Sequence, residues 1–444
     1  MLDIEQYHGI RGSSARDIAA SAEVAIREGR LKTGETLPTV RALADALGTS
    51  PATVNSAYRT LRQRGLVIAE GRRGTRVAPR PALRIPRPPR IGPAAPARRD
   101  LTVGLADPEV LPPIGPALAR IDLEKLSLET IDPDLLEVGA GLLTADGVPA
   151  DSLTVVSGAL DGIERVLSAH LRPGDRVAVE DPAYPPIRDI LLALGLIPVP
   201  VPVDDRGLLP DPFEAALRKG VQAVALVPRA QNPLGAALDP DRVDELRASL
   251  QDHPDILVVE DDHAGLVAGV PFLSLTPLGW PRWAVIRSVS KTLHPDLRLA
   301  LVAGDTTTIA RVEGRQALGP RWVSNILQAT TAVLLRDPVT RRRARRARDI
   351  YARRRRALLE ELAQRGLRAH GASGLNVWVP VNEEAPVVRA LHDAGWAVLG
   401  GEPFRLATPP GIRVTISTLR PAEAPEVAEL IAAAEHRGRP RRAY

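Results

Sequence analysis

Of the 58 lysines and arginines in this 444-residue chain, only Lys32, Lys125, Lys219 and Lys291 are lysines. Where charge alone is needed, the sequence writes arginine. A retained lysine therefore points to chemistry closed to guanidinium: a desolvated amine gives up its proton and condenses with a carbonyl, whereas arginine stays charged. Most lysines are nonetheless solvated surface charges, so the surroundings must decide. Lys291 lies in the stretch SVSKTLHPDLR, Ser288 to Arg298, just past the apolar run Trp283 to Ile286, which reads as a strand. Earlier apolar runs end on polar groups of complementary kinds. Ser157-Gly158-Ala159 joins a strand to a helix, where free N–H groups and the helix dipole suit a phosphate. Glu180-Asp181-Pro182-Ala183-Tyr184 brings an aromatic ring, Gln231-Asn232-Pro233 a side-chain amide, and Glu260-Asp261-Asp262-His263 a set of acids. Singly, Gly158 reads as a turn, Tyr184 as core and Asp261 as a helix cap. In order at successive strand ends they make the set that pyridoxal phosphate requires, with an acid to keep the pyridine nitrogen protonated and an amine to bond the aldehyde.

The elements that must position these groups alternate. Strand-like runs at Leu153 to Val156, Arg176 to Val179, Ile197 to Val201, Ala223 to Val227, Ile256 to Val259, Trp283 to Ile286 and Leu299 to Ala303 are separated by helical periodicity at Gly158 to His170, Pro185 to Leu194 and Asp239 to Leu250. This pattern predicts an α/β domain with a largely parallel sheet and a ligand site at the carboxyl ends of its strands.

The front of the chain differs in charge and period. Up to Arg99 it carries eighteen Lys plus Arg against eight Asp plus Glu, and the remainder carries forty against forty-five. A basic front on a mildly acidic body suggests a polyanion-binding module attached to something else. Amphipathic spacing predicts a helix over Ser14 to Glu28, a second opened by Leu37-Pro38 and ended by Gly48, and a third from Ser50-Pro51 to Gly65. Two short runs, Leu66 to Ala69 and Thr75 to Ala78, flank the turn Gly71-Arg72-Arg73-Gly74 and read as a hairpin. Three helices and a basic hairpin make a winged helix-turn-helix whose third helix enters the major groove. Its polar face would present Thr53, Asn55 and Arg59 to bases or phosphates. Residues 79–99, with seven prolines, six arginines and no acid, form an extended tether.

The run GETLPTVRALADALGTSPATVNSAYRTLRQRGLVIAEGRRGTRV resembles the DNA-binding domain of GntR-type regulators. The resemblance implies DNA contacts from Arg41, Thr53, Asn55 and the wing residues Arg72, Arg73 and Gly74. From about Leu101 to Leu430 the chain resembles a fold-type I aminotransferase, and the fusion resembles the MocR subfamily of GntR regulators. SGALDGIERVL, VAVEDPAY, PRAQNPLG and WAVIRSVSKTLHPDLRLALVA look most like its PtsJ-like branch, implicated in vitamin B6 salvage. Carried over residue by residue, the resemblance gives Lys291 the covalent bond to pyridoxal phosphate and Asp261 the pyridine nitrogen. Asn232 and His263 would lie at the ring hydroxyl and Tyr184 on the ring. Gly158, Ala159, Ser288 and Arg298 would hold the phosphate, and Arg413, in GIRVTIS, a carboxylate of substrate or effector. Two departures stand out. His263 occupies a position that is tyrosine in most relatives, and TIDPDLLEVGAGLLTADG replaces the usual tyrosine-glycine phrase that reaches a neighbouring subunit's phosphate. Both weigh against a full transamination cycle more than against binding.

The expected organisation is a multidomain chain. An α-rich winged helix spans 1–78, the tether 79–99, and an α/β aminotransferase-like domain 100–444. Within the last, a large subdomain covers about 152–318 and a small one about 319–444 plus part of 100–151. The expected function is a pyridoxal-phosphate-dependent transcription regulator that binds an operator duplex as a homodimer and senses a B6 vitamer, amine or amino acid. The alternative is a working aminotransferase with a DNA-binding appendage. The absence of cysteine excludes disulfides and thiolate metal sites, and no metal ligand set is read elsewhere. No apolar run has the length of a membrane span, and residues 1–30 lack the apolar core of a signal peptide, so the expected address is the cytoplasm. The arginine run Arg341 to Arg356 is interrupted by apolar residues at helical spacing, which favours a solvated helix face over a second DNA surface. His294, close to Lys291 in sequence, is a weaker candidate for the cofactor.

Overall fold

The computed structural model describes residues 9–63, 66–69, 74–78, 98–126 and 129–437. The chain divides into two compact units, one containing the N-terminal helices and the other the C-terminal sheets.

The N-terminal helices are α1 (Ala15–Arg27), α2 (Val40–Leu47) and α3 (Pro51–Gln63), followed by the antiparallel pair β1 (Val67–Ala69) and β2 (Thr75–Val77). Each helix starts on a hydroxyl. The Ser14 side chain accepts from the Asp17 amide, that of Thr39 from the Ala42 amide, and that of Ser50 from the Thr53 amide. Pro38 therefore precedes the Thr39 cap instead of opening α2, a correction to the expected boundary. Gly48 ends α2 in the left-handed conformation, as its spacing predicts. Ile18, Ala22, Leu43, Val54, Ala57, Tyr58 and Leu61 form the core, and the Tyr58 hydroxyl donates to the Pro38 carbonyl at 2.7 Å. The turn residues 70–73 and tether residues 79–97 lie outside the described residues, as does Gly65.

In the second unit, α4 (Pro133–Ala145) precedes a sheet of eight strands: β3 (Leu153–Val156), β4 (Arg176–Asp181), β5 (Ile197–Asp204), β6 (Gly207–Leu208), β7 (Ala223–Leu226), β8 (Leu257–Asp262), β9 (Trp283–Ser288) and β10 (Ala300–Gly304). Their spatial order is β3-β10-β9-β8-β7-β4-β5-β6. Neighbours from β4 through β7 and β8 to β9 pair in parallel. β10 is antiparallel to both β9 and β3. The link Val289–Leu299 holds no crossover helix of the length that parallel pairing needs, so the chain turns straight back. That same short link carries Lys291 and Arg298. β3, β7, β8, β9 and β10 are buried along their whole length, the signature of a sheet covered on both faces. Helix α5 (Ala159–His170) follows β3 and packs Ile163, Val166 and Leu167 inward.

Two strands run further than their apolar residues suggest. Glu180 and Asp181 lie inside β4, and Glu260, Asp261 and Asp262 inside β8, where the sequence places them after the strands. Most of these acids have side-chain partners that replace water. Glu260, for instance, accepts from Ser274 Oγ at 2.5 Å, from Thr276 Oγ1 at 2.9 Å and from the Leu275 amide at 2.7 Å.

A second core gathers along the long helix α6 (Pro338–Gln364) and the antiparallel strands β11 (Asn376–Pro380), β12 (Leu399–Gly400) and β13 (Gly411–Thr415), ordered β11-β13-β12. A Cβ at Gly411 would lie 2.3 Å from the Trp378 ring, so only glycine lets β13 pass that indole. Arg413, in the middle strand, sits between Trp378 and Leu399 in register.

Candidate functional site

Lys291 lies just past β9 and is half-buried, and its Nζ donates to the carbonyl of Gly104. Burial, helped by the Arg413 charge, brings its pKa down to about 8. Roughly a tenth of the amine is then neutral at pH 7, enough to act as a nucleophile. Arg413 is buried, and its Nη1 donates to Asn232 Oδ1 at 3.1 Å and its Nη2 to the Thr102 carbonyl. Its guanidinium carbon is 4.9 Å from the Phe404 ring centre, and its Nε is buried with no hydrogen-bond partner among the described residues.

Thr102 and Gly104 belong to one extended segment that takes both cations. Asp100 Oδ1 holds it on one side, accepting from the Thr102 amide at 2.8 Å and from its hydroxyl at 2.6 Å. Asp107 holds it on the other, paired with Arg354 at 2.9 Å. Sequence reasoning missed this segment, because a backbone carbonyl leaves no signature in residue type.

Asp261 is 7 % exposed, and its Oδ1 is buried without a hydrogen-bond partner among the described residues. Burial, then the neighbouring Asp262, push its pKa up to about 7, with Lys291 pulling the other way. His263 Nε2 lies 2.9 Å from the Ala230 carbonyl and must be the donor there. Burial and the Lys291 charge bring the pKa of His263 down to about 4, so the ring is neutral. Tyr184 is 36 % exposed, and burial raises the pKa of its hydroxyl; Arg413, Asp261 and Arg298 are the charges acting on it. Those four side chains thus share one region, and Tyr184 and Asp261 line the same small cavity.

At the N-terminus of α5, Gly158 has φ 96°, and a Cβ there would lie 3.5 Å from Arg298 Nη2. The Arg298 guanidinium therefore stands over Gly158, at the helix N-terminus where the first-turn amides start at Ala159. Arg298 itself adopts the left-handed conformation, φ 45°. Ser288 is buried, and its hydroxyl donates to Ser290 Oγ at 3.0 Å and accepts from the Ser290 amide at 3.2 Å. Ser290 thereby joins the set, although the sequence reading passed over it. His294 instead lines a cavity of about 700 Å³ with Val103, Leu105, Pro295 and Arg343.

Directly beside Asp261, Asp262 makes an ion cluster that sequence reasoning also missed. It accepts from Arg229 Nε at 2.9 Å and Nη2 at 2.8 Å, and from Arg287 Nε at 2.7 Å. Both arginines also pair with Asp146, and both guanidiniums lie 5.3 Å from the Phe272 ring centre. These cations hold the Asp262 pKa at about 2 despite burial.

In the N-terminal unit, α3 turns Val54, Ala57, Tyr58 and Leu61 inward and leaves Asn55 and Arg59 exposed. Thr53 is half-buried, with Oγ1 2.8 Å from Ser50 Oγ. Arg41 on α2 is exposed, and Gly74 is left-handed at the start of β2. Arg72 and Arg73 lie outside the described residues.

Comparison with known proteins follows this division. Residues 14–77 match the family described as bacterial regulatory proteins, gntR family, and residues 140–431 match aminotransferase class I and II. The vitamin B6 salvage pathway transcriptional repressor PtsJ of Salmonella typhimurium is 37 % identical, over 93 % of this chain and 96 % of its own length. The chain belongs to the GntR-type transcriptional regulators that carry an aminotransferase-like domain. Another such regulator, the pyridoxine biosynthesis regulator PdxR of Corynebacterium glutamicum, is 27 % identical over 74 % of each chain. In fold, the regulator resembles a Pyrococcus horikoshii kynurenine aminotransferase, with TM-score 0.70 and 22 % identity over 76 % of this chain and 90 % of the enzyme. Its second unit thus has the fold-type I aminotransferase architecture. Among the described residues, no helix is long and apolar enough to cross a membrane.

Proposed function

We propose that this regulator binds pyridoxal phosphate at Lys291 and changes its affinity for an operator in response, in the control of vitamin B6 salvage. The observation that carries the reading is Asp261. A carboxylate buried without a partner for Oδ1, beside the one lysine near a strand end, fits a protonated ring nitrogen. The Gly158–Arg298 cradle at the start of α5 fits the phosphate. When bound, pyridoxal phosphate supplies an aldehyde and an electron-withdrawing ring.

The chain's own residues do the rest. Lys291 would hold the group through its amine, Asp261 would keep the nitrogen proton and Tyr184 would lie on the ring. Asn232 orients the ring hydroxyl beside His263. Ser288, with Ser290, supports the phosphate site from the end of β9. Arg413 receives the carboxylate of an amino acid effector, which must displace the Thr102 carbonyl to reach it. The segment so released continues through Arg98 toward the tether, a covalent route to the DNA-binding helices. Those helices contact the operator through Arg41, Thr53, Asn55, Arg59 and the wing residues Arg72, Arg73 and Gly74, and the regulator acts as a homodimer.

Pyridoxal phosphate added to the purified chain is expected to produce visible absorbance that Lys291→Ala abolishes. A wild-type chain that stays colourless overturns the reading.

A further inference from the structure

Helix α6 separates its residues into two opposite faces. Ala344, Ala347, Tyr351, Arg355, Leu358 and Leu362 are buried along one side. At 100° per residue, Arg342, Arg345, Arg346, Arg353 and Arg356 fall on the other, and all five are exposed. None of the five has an ion pair or side-chain hydrogen bond among the described residues. The more buried arginines of the second unit are consumed internally, among them Arg229, Arg242, Arg287 and Arg405 by acids, and Arg355 by the carbonyls of Gly374 and Ala372. Within α6, Arg354 is tied to Asp107 and Arg348 to Asp349, the single acid between Arg342 and Arg356 on the exposed face.

Cations three and four residues apart on a helix repel, at about 0.2–0.5 kcal/mol per pair. Arg342 carries that repulsion against both Arg345 and Arg346, and Asp349, the acid three and four residues beyond that pair, is tied to Arg348. A solvated face needs no such arrangement, since glutamate would serve equally well and relieve the repulsion. The row runs about 21 Å along the helix at 1.5 Å per residue. A duplex presents a charge every ~1.7 Å of its axis, so a row of that length can meet several phosphates at once.

We propose that this arginine row is a second DNA surface, which binds duplex backbone outside the segment read by the winged helix. The partner is double-stranded DNA because the same chain already carries a duplex-binding domain and the row has the charge and length to follow a phosphate backbone. The row contributes affinity without sequence preference.

The test compares the full chain with the triple variant Arg342→Gln, Arg345→Gln, Arg346→Gln on random-sequence duplexes. One duplex is a single helical turn, and the other extends well beyond the winged helix. On the long duplex, the slope of log affinity against log salt is expected to fall by about 2.7, from ~0.9 per lost phosphate contact. On the short duplex the variant is expected to match the wild type. Equal slopes for both proteins on the long duplex overturn the proposal, including the case in which the row serves an acidic protein instead. Equal losses on both duplexes also overturn it, because they place the arginines at the segment held by the winged helix. Glutamine keeps the helix and removes repulsion, so a melting temperature no lower than the wild type's confirms that folding is intact.

Discussion

Asp261 and Asp262 are consecutive residues of one strand, both buried, and the protein treats them in opposite ways. Asp262 is saturated by two arginines and the Gly265 amide, and its pKa sits at about 2. Asp261 keeps an oxygen without a partner among the described residues, and its pKa is pushed up to about 7. Alternation along a strand sends the two side chains to opposite faces, one onto the ion cluster beneath α4 and the other toward Lys291. A charge that holds the fold together is neutralised completely. The acid that the proposed function assigns to a ligand keeps an oxygen without a partner among the described residues, and the folded chain bears that cost.

The largest effect that can break this contrast is Asp262→Ala. It leaves the buried Arg229 and Arg287 to share Asp146 alone and is expected to destabilise the domain by about 3–5 kcal/mol, read by denaturant unfolding. Asp261→Asn should act in the opposite sense on the ligand-free protein. An acid whose folded pKa is raised is penalised only when ionised, so the penalty is absent below its ordinary pKa and complete above about 7. The variant is therefore expected to be more stable than the wild type at pH 8, by about 1–3 kcal/mol, with the gain fading toward pH 4 and with weaker binding of pyridoxal phosphate. A loss of stability at pH 8 would remove Asp261 from the ligand side of the comparison.

The lysine gives the next effect. With its pKa near 8, the rate of covalent attachment should rise about tenfold per pH unit below that value and level off above it. Stopped-flow absorbance checks the position of the bend. The smallest expected effect is at Glu260, the third acid of the strand. Ser274→Ala removes one of its donors and should cost about 1 kcal/mol in unfolding while leaving pyridoxal phosphate absorbance unchanged.

Much of this site was legible in residue type and order. The turn at Gly158, the amide of Asn232, the acid at 261 and the lysine at 291 come after continuous apolar runs, and continuous runs are hard to misread. What escaped depended on distant partners. β8 continues through three acids only because Ser274, Arg229 and Arg287 arrive from other elements to replace water. Arg287 stands opposite Asp262 in the register of the parallel pair, which no local pattern shows. The carbonyls of Thr102 and Gly104 that occupy Arg413 and Lys291 carry no side-chain signal at all. In the N-terminal unit the helices were readable from their caps, and Pro38 was misplaced because proline serves equally well just before a cap and just after it.

The most direct test of the account is operator affinity, measured on a duplex selected with the full chain, with and without pyridoxal phosphate, for wild type and Lys291→Ala. Coupling of about 1–3 kcal/mol predicts a change of roughly 5–150-fold in the wild type and none in the variant. Identical wild-type affinities, while visible absorbance shows the ligand bound, would contradict it.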